Sequence, residues 1–135
     1  MALDTSIFIY EFEANPRYLA AANVLFRWLE SPAHRALSST ITLTEVLVGP
    51  YRAGDLVRAK AMRGLLLNYP RVEWVVPESN IADLAAQFRV RYGLRTVDAL
   101  QVATAIRSNA TCMVGNDTAF RRVEGIDILL LDDYL

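Results

Sequence analysis

Short apolar runs that read as strands alternate with stripes of helical spacing along the whole chain, and that order leaves few folds open. Residues 1–4 form an apolar lead ending in an acid, read as a first strand. Further strands are expected at 35–38, 73–76, 111–114 and 126–131. Helices are expected between them. At 16–30, Tyr18, Leu19, Ala22, Leu25, Phe26 and Leu29 share one face, Pro16 suits a first-turn position, and Ser31-Pro32 is a stop. A helix at 40–51 is expected to break at Gly49-Pro50, and Asp55 can cap another that runs to Asn68. Pro77 opens a helix with Ile81, Leu84, Ala85, Phe88 and Tyr92 on one face, ended by Gly93. Thr96 can cap the next, which reaches about Asn109 and buries Ala99, Val102, Ala103 and Ile106. A short turn or helix is expected at 117–121. Strand–helix alternation argues for an α/β fold, a parallel sheet with helices on both faces. Its strands should be apolar runs, as Val114 and Leu129-Leu130-Leu131 suggest.

The chain has 135 residues, read as one domain over 1–135, and 53% of them are hydrophobic, enough to build a core without staples. The single cysteine, Cys112, cannot form an internal disulfide, which fits a reducing cytoplasm; it is expected to be a small buried apolar residue. Neither a membrane-spanning run of about 18 apolar residues nor a signal peptide is read, so the expected location is cytoplasmic. Net charge is −1, without the basic footprint common in nucleic-acid binders. The positive charge is nearly all arginine, with Lys60 the only lysine, and arginine suits bidentate contact with phosphate. His34 has no partner at metal-ligand spacing and reads as a surface loop residue; Trp28 and Trp74 read as core or interface.

Ligands of parallel sheets sit outside the carboxyl ends of the strands, and that rule turns a list of acids into a site. Asp4 ends the first strand, Asp117 follows the strand ending at Val114, Asp98 lies in a first helical turn, and Glu45 interrupts the apolar stretch around Leu43, Val46, Leu47 and Val48. Each has an ordinary local use: Asp4 as a helix cap, Asp98 as a dipole partner, Asp117 in a turn, Glu45 facing water. Asp132, Asp133 and Glu124 look solvated and receive no role. Four acids at one sheet edge would repel, and a divalent cation removes that cost. An all-oxygen set with no Cys or His partner favours Mg²⁺, with Mn²⁺ as a substitute, over zinc.

The motifs that carry these acids resemble those of PIN-domain nucleases. Leu3-Asp4-Thr5-Ser6-Ile7-Phe8-Ile9 is similar to the family's opening motif and Thr44-Glu45-Val46-Leu47-Val48-Gly49-Pro50 to its second. The run from Leu94 to Ala105 around Asp98 is similar to its third, and Gly115-Asn116-Asp117-Thr118-Ala119-Phe120 to its fourth. Size and motifs are most similar to VapC-type toxins of toxin–antitoxin pairs. The resemblance implies a three-layer PIN-like fold with four to five parallel strands. It also implies a Mg²⁺-dependent endoribonuclease, usually a homodimer, acting on RNA and silenced by a VapB-like antitoxin. Metal-binding and catalytic roles carry over to Asp4, Glu45, Asp98 and Asp117. Thr5, Ser6 and Asn116 match positions that support the carboxylates through hydrogen bonds. Arg95, beside the third motif, is a candidate phosphate contact. Many members carry a further acid two residues after the fourth; here that place is Ala119. The position often held by histidine after the third acid is Gln101, read as neutral.

Two enzyme or signalling readings fit less well. A haloacid-dehalogenase-type phosphatase needs a second Asp where Ser6 stands, and a phospho-receiver domain needs a late lysine. The alternative from another class is a non-catalytic PIN-like module that binds RNA or protein, whose mark would be loss of a core acid.

Overall fold

The computed structural model describes residues 1–135. Five short strands, β1 (Ala2–Leu3), β2 (Ala36–Ser39), β3 (Val72–Val75), β4 (Cys112–Gly115) and β5 (Asp127–Leu130), form one sheet in the order β3-β2-β1-β4-β5. Every pairing is parallel. Six α-helices connect them: α1 (Thr5–Phe12), α2 (Leu19–Trp28), α3 (Ile41–Arg52), α4 (Leu56–Leu67), α5 (Ser79–Tyr92) and α6 (Thr96–Arg107). Two 3₁₀ turns, Thr118–Arg122 and Leu131–Tyr134, follow β4 and β5.

Successive strand residues face opposite layers. Ala2, Leu37 and Met113 pack with Ile81, Phe88, Ala99 and Val102 of α5 and α6. Their neighbours Leu3, Ala36 and Val114 pack with Ile7, Phe8, Phe26, Val46 and Leu66 of α1 to α4. The two apolar clusters give a three-layer α/β/α sandwich, and each fully buried Leu or Phe contributes roughly 1.5–3 kcal/mol. β2 departs from the expected apolar pattern: its Ser38 and Ser39 are buried to 1%. Ser38 Oγ donates to Leu3 O at 2.9 Å, so its burial is hydrogen-bonded.

Helix boundaries follow the caps. Asp55 accepts from Arg58 N at 3.0 Å, and Gly93 ends α5 at φ 66°. The expected break at Gly49-Pro50 does not occur. α3 continues to Arg52: Pro50 forgoes its backbone bond to Val46 O, and its burial with Val46 and Leu47 offsets that loss. α2 starts later than Pro16: Asn15 holds the preceding turn, accepting from Arg17 N through Oδ1 and from Leu19 N through its carbonyl. Arg95, not Thr96, is the N-cap residue of α6. Cys112 is half-buried at the start of β4 rather than fully buried. Helix α1 has no counterpart in the apolar pattern. Its opening run Thr5-Ser6-Ile7-Phe8-Ile9 is rich in residues of low helix propensity, and Ile7 and Phe8, both at 0% exposure, hold it by packing.

The chain moves from β1 outward through β2 to β3, then returns to the other side of β1 with β4. The direction of winding reverses there, and the carboxyl ends of β1 and β4 flank the crevice where such sheets bind ligands.

Candidate active site

Asp4 leaves β1 directly into α1, and its backbone N–H donates to Val114 O at 2.9 Å. As the N-cap of α1 it accepts from Ser6 Oγ at 2.8 Å and Ser6 N at 3.3 Å. Only 8% of the residue is exposed. Burial pushes its carboxyl up to about 6 and the nearby charges of Glu45 and Asp98 add to this, while the Ser6 hydrogen bonds pull the other way. Gly115, at the end of β4, makes this approach possible: a Cβ there would lie 3.2 Å from Asp4 Cβ and 3.4 Å from the Phe120 ring.

Asp98 is equally buried, in the first turn of α6. Asp117 caps the 3₁₀ turn after β4, accepting from Ala119 N at 2.8 Å. Glu45 is exposed on α3, and Thr5 Oγ1 donates to its Oε1 at 2.6 Å. Asp4, Asp98 and Asp117 each therefore perform the ordinary local task that their position suggests, and still face a common region. Arg95 ties that region together. Its Nε donates to Asp98 Oδ2 at 2.9 Å and its Nη2 to Asp117 Oδ2 at 3.4 Å, and these acids, with Glu45 further away, raise its pKa.

The supporting residues divide. Thr5 and Ser6 hydrogen-bond Glu45 and Asp4 as expected. Asn116 does not support the acids: its Nδ2 donates to Tyr10 Oη at 3.2 Å and its Oδ1 accepts from Asp132 N at 3.0 Å, so it joins α1 to the end of β5. Asp132 is also less idle than its exposure suggested, since it pairs with Arg17 and accepts from Tyr18 Oη, both at 3.0 Å. His34 stacks on Trp28, and Trp74 packs on Phe8, away from the acids. Gln101, read as neutral, is 3% exposed and reaches the hydroxyls of Thr5 and Thr42. Its sequence signal was a spacing of three from Asp98, which puts both on one helix face.

The site is an open acidic surface; a larger cleft lies elsewhere, between Val57, Leu65 and Tyr69, and Glu45 borders a smaller one with Arg52 and Arg58. No three Asp, Glu, His or Cys side chains converge closely enough to enclose a bare ion. The donor set is nonetheless all carboxylate, one member is buried and hard to ionise, and a guanidinium lies between two others. Those features fit a hard divalent cation that keeps most of its own waters, and do not fit a closed cage.

Fold and site together define an α/β protein with an acidic centre at the switch point of a parallel sheet. The PIN domain family model matches residues 1–126, and the chain belongs to that family. Among solved structures, VapBC2 from Rickettsia felis bound to a promoter DNA fragment superposes with TM-score 0.74 at 19% identity, covering 96% of each chain. VapC20 from Mycobacterium tuberculosis, a toxin that cleaves the sarcin–ricin loop, gives 0.73 at 19% identity over 93% of this chain and 96% of that one. A toxin–antitoxin complex from Klebsiella pneumoniae gives 0.71 at 23% identity over 96% of each. No curated protein matches the sequence significantly. No helix is long and apolar enough to cross a membrane.

Proposed function

We propose that this chain is a Mg²⁺-dependent endoribonuclease and the toxin of a toxin–antitoxin pair, acting in the cytoplasm. The observation that carries the reading is the electrostatic coupling of acids from distant parts of the chain, Asp4 with Glu45 and Asp98, and Arg95 with Asp98, Asp117 and Glu45, with Asp4 buried and costly to ionise. Structural likeness to toxins of VapBC pairs supports it.

Asp4 and Asp98 are the residues that would hold Mg²⁺, or Mn²⁺ in its place, with Glu45 and Asp117 orienting waters around it. A divalent cation there supplies an acidified water and offsets negative charge on the scissile phosphate. The chain's own groups do the rest. Ser6 fixes the carboxylate of Asp4, and Thr5 fixes one oxygen of Glu45, leaving the other to accept a hydrogen bond from water. Arg95, 80% exposed at the side chain, is placed to exchange its carboxylate partners for an RNA phosphate. A VapB-like antitoxin would silence the site, and the working form would be a homodimer.

The non-catalytic reading draws on Arg95, which already neutralises Asp98 and Asp117. One experiment separates the two. Purified, antitoxin-free protein should cleave RNA with Mg²⁺, lose activity in EDTA, and lose it again in Asp98→Asn. Binding of RNA without cleavage under all metal conditions would establish the non-catalytic module instead.

A further inference from the structure

Thr5 opens α1, Thr42 lies in the first turn of α3, and Gln101 lies in the second turn of α6. Three helices thus bring three buried polar side chains to one point behind Glu45. Thr5 Oγ1 is 2.9 Å from Thr42 Oγ1, and Gln101 Nε2 is 3.0 Å from both hydroxyl oxygens. Ser38 Oγ lies 3.1 Å from Thr42 Oγ1 on the far side.

Counting protons fixes the direction of this cluster. The Gln101 amide nitrogen carries two protons and accepts none, so it donates one to Thr5 and one to Thr42. A hydroxyl has one proton and two acceptor sites. The proton of Thr5 is committed to the Glu45 carboxylate, which only accepts. The Ser38 proton is committed to Leu3 O, so the single Thr42 proton serves either the 2.9 Å contact with Thr5 or the 3.1 Å contact with Ser38. In either case Thr5 accepts from Gln101 and donates once, to Glu45.

We propose that Gln101 is a positioning residue for the nuclease reaction: by donating to Thr5 it fills one acceptor site of that hydroxyl and turns its proton toward Glu45, and so holds that carboxylate in its working orientation. Gln101 touches neither substrate nor metal in this scheme and acts through Thr5 alone. The catalytic part rests on the function proposed above; the coupling from Gln101 to Glu45 does not.

Four proteins test it: wild type, Thr5→Val, Gln101→Met and the double variant. The first readout, on metal-free protein, is the NMR shift of the Glu45 carboxyl carbon. Gln101→Met should move it in the same direction as Thr5→Val, and the double variant should match Thr5→Val. The second is RNA cleavage with Mg²⁺. Gln101→Met should lower kcat about fivefold to tenfold, the worth of one hydrogen bond between neutral groups, with KM unchanged and no further loss in the double variant. Gln101→His, which keeps an N–H donor, should recover most of the loss. An unmoved Glu45 shift in Gln101→Met, or additive effects in the double variant, would overturn the proposal. If Gln101→Met does not fold, the wild type still decides: a proton donated by Thr5 should give an H/D isotope shift at the Glu45 carboxyl carbon that Thr5→Val loses, and absence of that isotope shift overturns the proposal equally. A wild-type protein inert toward RNA would sink the nuclease reading, while the Glu45 shift would still decide the coupling.

Discussion

Arg95 Nε donates to Asp98 Oδ2 at 2.9 Å from the position just ahead of α6, so an exposed cation is paired with one of the two most buried acids of the site. The same guanidinium reaches Asp117. Arg95 and a divalent ion should therefore compete for the same carboxylates. Arg95→Ala is expected to tighten Mg²⁺ binding in calorimetry and to raise KM for RNA, because a competitor and a phosphate contact disappear together. Melting should change little, since exposed ion pairs contribute little to stability. Weaker Mg²⁺ binding in the variant would count against the competition.

Asp98→Asn and Asp4→Asn should each abolish Mg²⁺-dependent cleavage and leave the fold intact. The metal-free Asp4→Asn protein should also melt at a higher temperature than wild type at pH 7. Asn keeps an acceptor for Ser6 while removing a buried charge that Glu45 and Asp98 repel. Wild-type activity in either variant would break the role assignment.

Asp4 gives metal-free stability a definite pH dependence. Its ordinary value of 3.8 is raised to about 6 in the fold, so between those values the native state binds more protons than the unfolded chain. The contribution of the neutral carboxyl is fully present below about 3.8 and is lost as pH rises through about 6. The difference is of order 3 kcal/mol for a shift of this size. Urea midpoints in EDTA should fall from pH 4 to pH 7 in wild type, and this part of the slope should vanish in Asp4→Asn. Equal slopes in the two proteins would show that Asp4 titrates normally.

Gly115→Ala probes the close approach of β4 to Asp4. The added methyl meets Asp4 Cβ at 3.2 Å and the Phe120 ring at 3.4 Å, so one of them must shift by a few tenths of an ångström. Overpacking of this kind costs about 1 kcal/mol or more. Cleavage should fall more than stability does, because the displaced group is the carboxylate. A variant with unchanged kcat and unchanged melting would mean that the crevice yields freely.

Much of this architecture follows from local pattern. Strand-like runs at the right intervals imposed a parallel sheet, and Asp4 and Asp117 were assigned to its carboxyl edge because strand ends can be read from neighbouring residues alone. Caps such as Asp55 and Gly93 were legible for the same reason: their chemistry involves groups only a few residues away. Other features depended on packing. Helix α1 forms against local propensity because Ile7 and Phe8 are fully buried beneath it, and α3 runs through Pro50 because that residue is buried.

Gln101 marks the boundary most sharply. In the sequence it is one polar residue on a helix, 96 positions from Thr5 and 59 from Thr42. Its partners are set by where α1, α3 and α6 meet, and hydrogen bonds act only over about 3 Å. The sequence by itself determined which residue types were available and at which strand ends the acids would stand. Tertiary structure decided which of them touch, because contact between distant segments depends on the packing of whole layers, which no local spacing encodes.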